Sequence, residues 1–108
     1  MNMEKIIIKE SKLQSLRASL TNHVNMVNTD ELSNTRLQKL ILSLVKNDEN
    51  RAKKICIKLK WIRHKFGKIT TKDIVDAVIK NCVMIVNDGN YVKMKRHYII
   101  KLQTTWED

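Results

Sequence analysis

The chain contains no proline. No helix is broken from within, so helix ends are left to capping side chains and to glycine. Glycine occurs only twice, at Gly67 and Gly89. Two glycines cannot build a phosphate-cradling loop, and neither a Walker loop nor a G-x-G-x-x-G is present. Cysteine also occurs twice: Cys56 and Cys82 lie 26 residues apart, each inside an apolar pattern. With no C-x-x-C and no Cys–His cluster, they read as buried reduced thiols, ahead of a disulfide or a metal site. No run of eighteen apolar residues exists, so nothing is expected to span a membrane. The opening MNMEKIIIKES holds an apolar run far too short for a signal peptide, and a cytoplasmic location is expected.

Catalytic signatures are missing as well. There is no H-E-x-x-H and no G-x-S-x-G, and His23, His64 and His97 are scattered. Asp73, Asp76 and Asp88 lack a paired neighbour for acid–base or two-metal work. A general-base His64 among phosphate-binding lysines would describe a small ribonuclease, but no second catalytic group accompanies it. The expectation is a protein that is not an enzyme and needs neither a cofactor nor a metal.

The most local deficit is of acid. Residues 51–72 hold nine Lys or Arg side chains and no Asp or Glu. Over the whole chain the net charge is +10. Residues 1–50 carry seven basic and six acidic side chains, whereas residues 51–108 carry fourteen and five. One half of the chain owns the field, as expected of a protein that meets a polyanion.

Wound as an α-helix from Arg51 to Phe66, this stretch has two unlike sides. Ala52, Ile55, Cys56, Leu59, Ile62 and Phe66 form a core-facing stripe. Lys53, Lys54, Lys58, Lys60, His64 and Lys65 fill the other side, and Ile57 and Trp61 sit among them one turn apart. Trp61 has two readings. It either fills a contact against a hairpin or the next helix, or stands exposed to stack on a base or sugar.

At 108 residues and 43% hydrophobic content, the chain is expected to form one domain, 1–108, with a modest core. Lys5–Lys9 carries three consecutive isoleucines and reads as a short strand. Ser11 and Gln14 fit a capping box for a first helix. Its stripe is Leu13, Leu16, Leu20, Val24 and Val27, suited to packing inside the domain or to a dimer seam. Thr29 or Asp30 is expected to cap a second helix carrying Leu32, Leu37, Leu40, Ile41, Leu44 and Val45. This is the most apolar helix and is expected at the centre of the core, with Leu42 widening its buried face. Asp48 suits the N-cap of the basic helix, and Gly67 suits its end.

Lys68–Thr70 reads as a very short strand, and Thr70 or Thr71 as the cap of a fourth helix, Lys72–Asn81, with Ile74, Val75, Val78 and Ile79 inward. Cys82–Val86 has strand length. Asn87-Asp88-Gly89-Asn90 then suits a type I′ hairpin turn, returning along Tyr91–Leu102 with Lys93, Lys95 and His97 on a basic face.

The sequence therefore predicts an α+β fold: three to four helices, then a C-terminal β-hairpin, with a short N-terminal strand, in a winged-helix-like arrangement. The function it predicts is nucleic-acid binding, with DNA favoured over RNA. The contact residues would be Lys53, Lys54, Ile57, Lys58, Lys60, Trp61, Arg63, His64, Lys65, Lys68, Lys93, Lys95 and His97. Size and Lys/Ile/Asn-rich composition suit a phage or mobile-element regulator. The competing expectation is an inhibitor or adaptor that docks an acidic protein through Ile57 and Trp61. Either reading allows a homodimer.

Overall fold

The computed structural model describes residues 5–89. Strand β1 (Ile6–Lys9) passes through a 3-10 turn (Glu10–Lys12) into helix α1 (Leu13–Asn25). A second 3-10 turn (Thr29–Glu31) precedes α2 (Asn34–Leu44). The basic helix α3 (Glu49–Phe66), α4 (Thr71–Cys82) and strand β2 (Val83–Val86) follow. The result is a mostly helical α+β fold, four helices with one small strand pair.

Helix ends follow local chemistry. Ser33 Oγ accepts the Arg36 N–H at 3.2 Å to start α2, and Asp48 Oδ1 accepts the Arg51 N–H at 3.1 Å to start α3. Thr70 and Asp73 form a reciprocal capping box at α4, with bonds of 3.2 and 2.9 Å. Gly67 ends α3 at φ +83, and its N–H donates to the Arg63 carbonyl at 2.8 Å. Between α2 and α3 the chain turns on two left-handed residues, Lys46 (φ 61) and Asn47 (φ 63). The Asn47 N–H donates back to the Leu42 carbonyl at 2.8 Å, the six-to-one bond of a Schellman ending made without glycine.

Helix α4 lies at the centre, packed against α1 on one side and α3 on the other, while α2 packs on α3. Ile74, Val75, Ala77, Val78, Ile79 and Cys82 are all buried along α4. The second helix, expected at the centre, buries Leu37, Ile41 and Leu44 and lies at the flank. α4 takes the more central place because six of its residues are buried, against three on α2, and it packs on α1 and α3. Leu16, Leu20 and Val24 of α1 are buried within the same chain, with Leu13 and Val27 partly so. An ion pair between Arg17 and Asp76, both half-exposed, joins α1 to α4 at the surface. Thr71 Oγ1 donates to Asn25 Oδ1 at 3.2 Å, where α1 ends and α4 begins.

β1 and β2 pair in parallel, Ile6 opposite Val83 and Ile8 opposite Ile85. A parallel pair cannot be closed by a tight turn, and here all four helices form the crossover. Ile6, Ile8 and Val83 are buried in the common core.

Several sequence expectations need correction. Ser11 does not cap α1: it lies inside the 3-10 turn, which delivers the Leu13 N–H to the Glu10 carbonyl. Its hydroxyl instead donates to the Asp88 carboxylate at 3.0 Å. Thr29 and Asp30 do not cap α2; they form a 3-10 turn capped by Asn28, whose Oδ1 accepts the Asp30 N–H. Lys68–Thr70 is not a strand. Ile69 is buried as a single anchor with no ladder partner among the described residues.

β2 starts at Val83 because Cys82 is still helical, and its described partner is β1 rather than a hairpin strand. A type I′ turn would need positive φ at Asp88 and Gly89. Both are helical, and positive φ among the described residues occurs at Lys46, Asn47 and Gly67. The return segment Tyr91–Leu102 lies outside the described residues. Phe66, placed on the buried stripe by its phase, is 66% exposed, because the last turn of α3 runs past the core.

Candidate nucleic-acid interface

α3 is 18 residues long, about 27 Å at 1.5 Å per residue. Its inward side is fixed by Ala52, Ile55, Cys56 and Leu59, all buried, with Ile62 half-buried beside them. α2 packs along one flank of this helix and α4 packs against it as well. The side of α3 away from those contacts is exposed. Lys53, Lys54, Ile57, Lys58, Lys60, Trp61, His64 and Lys65 are all exposed, and Lys68 follows, exposed, just beyond Gly67. No acidic side chain lies on this face after Glu49 in the first turn.

Within that open arc the residues are ordered by helical phase. Ile57 and Trp61, one turn apart, stand along its middle, 60% and 51% exposed. On one side of them come Lys53 and Lys60, with His64 closer in. On the other come Lys54, Lys58 and Lys65. The face is an apolar crest between two cationic rows. Lys65 Nζ lies 4.9 Å and Lys58 Nζ 5.5 Å from the centre of the Trp61 ring, within cation–π range. Lys65 Nζ is also 5.5 Å from the Phe66 ring. Trp61 was expected either to pack against the hairpin or the fourth helix or to stand exposed among lysines; its ring is 51% exposed, and the hairpin's return segment lies outside the described residues.

The two arginines of α3 are placed differently from its lysines. Arg63 donates from Nη2 to the Leu32 carbonyl at 2.7 Å and from Nη1 to Asn34 Oδ1 at 3.1 Å. It ties the end of α3 to the entry of α2. Arg51 is the only buried charged side chain among the described residues, its Nε 4.0 Å from Asp48 Oδ2. It also lies close enough to the buried Cys82 thiol to act on its ionisation. A planar guanidinium with several fixed donors suits such ties, whereas ammonium groups on flexible stems remain for the solvated face. Nothing in the spacing of Arg51 and Arg63 marked them as structural; the signal is their phase at the two borders of the buried stripe.

Both cysteines are free and buried. Burial pushes the Cys82 thiol up to about 11 from an ordinary 9.0, against the lowering effect of Arg51. Burial also raises the Cys56 thiol, opposed by Lys60. Thiols held protonated in this way are poor nucleophiles and poor metal ligands. Among the described residues no three His, Cys, Asp or Glu side chains come together as a metal site, and no helix is long and apolar enough to cross a membrane. Lys93, Lys95 and His97 lie outside the described residues. Compared with models of known families, with curated proteins and with solved structures, the chain matches none.

Proposed function

We propose that this protein binds nucleic acid, DNA in preference to RNA, through the exposed face of α3. One observation carries the reading: that face bears five lysines and a histidine around an exposed Ile57 and Trp61, and α3 itself carries no acid after Glu49 in its first turn. Lysines on one face displace condensed counterions from a phosphate backbone, which gives affinity with little sequence preference. The exposed ring and aliphatic side chain add contact with bases or sugars that charge alone does not provide. Such a protein acts by occupancy, as a small regulator of the kind phages and mobile elements carry, and uses neither cofactor nor metal.

The winged-helix-like form of this reading makes α2 and α3 the helix pair and the basic segment 91–102 the wing. Its support is the short α2–α3 connection and the outward face of α3. The parallel β1–β2 pair and the intervening α4 depart from that arrangement.

The exposed Ile57–Trp61 crest also favours a second reading, an acidic protein partner anchored by Trp61. Binding of labelled duplex DNA, single-stranded DNA and RNA between about 50 and 200 mM salt separates the two. Five phosphate contacts predict a loss of roughly 10²–10³-fold in affinity over that range. Weak, salt-insensitive binding to all three would leave only the protein partner.

A further inference from the structure

Resting on the nucleic-acid reading, we infer that α3 seats in the major groove of duplex DNA. There the crest of Ile57 and Trp61 meets thymine methyl groups, and the two lysine rows reach phosphates of opposite strands.

The face is symmetric about its apolar crest. Lys53 and Lys60 lie on one side of the crest and Lys54, Lys58 and Lys65 on the other, all exposed. A single strand offers one line of phosphates, which leaves one row without a partner. A duplex groove offers two lines with base edges between them, which matches row, crest and row. Size agrees: a helix with its side chains is about 10–12 Å across, and the B-form major groove is about 12 Å wide. The A-form major groove is too deep and narrow for side chains to read, so duplex RNA does not fit the same face.

The chemistry of the crest then selects what is read. Bidentate recognition of guanine needs Arg or Lys aimed at the groove floor, and the five lysines stand to either side of the crest rather than along it. Here Arg51 is buried and Arg63 is held by Leu32 and Asn34. What points outward along the middle is apolar, 60% and 51% exposed. In the major groove the apolar feature of a base pair is the thymine C5-methyl group. Specificity on this surface is therefore a preference for thymine, carried by hydrophobic contact, on top of unspecific phosphate binding.

The test uses the full chain and four probes of equal length: alternating dA·dT duplex, alternating dA·dU duplex, single-stranded DNA and duplex RNA. The dA·dU duplex keeps the backbone and removes only the methyl groups. Tightest binding to dA·dT is expected, with about a fourfold loss for each contacted methyl on passing to dA·dU. That loss should vanish in Ile57→Ala/Trp61→Ala. Equal affinity for the two DNA duplexes, or equal affinity for the single strand, would overturn the groove assignment while leaving nucleic-acid binding intact. Failure to bind any of the four would instead remove the reading beneath it.

Should the double variant not fold, the rows give an independent answer. Lys53→Gln/Lys60→Gln should lower the logarithmic salt slope on dA·dT duplex by about 2, and Lys54→Gln/Lys58→Gln/Lys65→Gln by about 3. A slope that responds to one row alone contradicts seating in a groove.

Discussion

Lys65 Nζ stands 4.9 Å from the centre of the Trp61 ring, one helical turn further along α3. With Lys58 Nζ at 5.5 Å, the indole shares its environment with two ammonium groups from one cationic row. The ring is held in place without being buried. An exposed cation–π contact contributes about 0.5–1 kcal/mol, and alanine recovers part of that through its helix propensity. Trp61→Ala should therefore leave the melting temperature within a few degrees of wild type. It should weaken DNA binding by roughly tenfold, the scale of one well-buried apolar contact. A large drop in melting temperature with unchanged binding would place the ring in the protein's own packing.

Leu59 and Phe66 belong to one helical stripe yet have opposite surroundings, 0% against 66% exposed. Leu59→Ala should cost about 2–5 kcal/mol in urea unfolding, because the transfer loss and the cavity add. Ile62→Ala, at a half-buried position, should cost less. Phe66→Ala should stay within about 0.5 kcal/mol. Equal losses at Leu59 and Phe66 would show that the last turn of α3 is covered.

Lys46, an exposed residue, occupies left-handed backbone at φ 61, where a Cβ is crowded. Lys46→Gly should stabilise the fold by about 0.5–1 kcal/mol, since the Asn47–Leu42 bond that ends α2 is backbone only. Chemical denaturation measures this. A loss of stability would mean that the lysine side chain, not the turn, matters there.

Cys82 titrates near 11 in the fold, raised by burial from an ordinary 9.0. With the folded value above the unfolded one, its contribution is fully present below about pH 9 and is lost as pH rises through 11. Complete loss amounts to about 2–3 kcal/mol. Cys56 shifts in the same direction, so the comparison is with Cys82→Ala, whose stability should fall less steeply between pH 9 and 11. Parallel profiles for the two proteins would contradict the assignment.

These positions also show which parts of the molecule could be read in the sequence. Asp48, Thr70 and Gly67 act where their chemistry places them, because a cap depends on residues within one turn. The stripes of α1, α3 and α4 were legible for the same reason, and the open lysine face followed from the phase of Leu59 and Ile55. What failed was non-local. β2 pairs with a strand 77 positions earlier in the chain, Ile6 opposite Val83, and no local pattern encodes a parallel crossover. Asn87-Asp88-Gly89 carries a turn signal, but Ser11 captures Asp88 from the other end of the fold. The diversion of Arg63 to the Leu32 carbonyl was hidden too, since it needs the packing of α2 on α3. Phe66 obeys the helical period and is still exposed; a period says which way a residue points, not how far the core extends.

Binding of DNA by α3 is tested by comparing the wild type with Lys53→Ala/Lys54→Ala/Lys58→Ala/Lys60→Ala on duplex DNA across a salt series. All four lysines are exposed, so both proteins should melt at similar temperatures. The wild type should bind with a steep salt slope, and the variant's slope should be shallower by about 3–4. Unchanged affinity and slope in a folded variant would remove α3 from the interface and contradict the account.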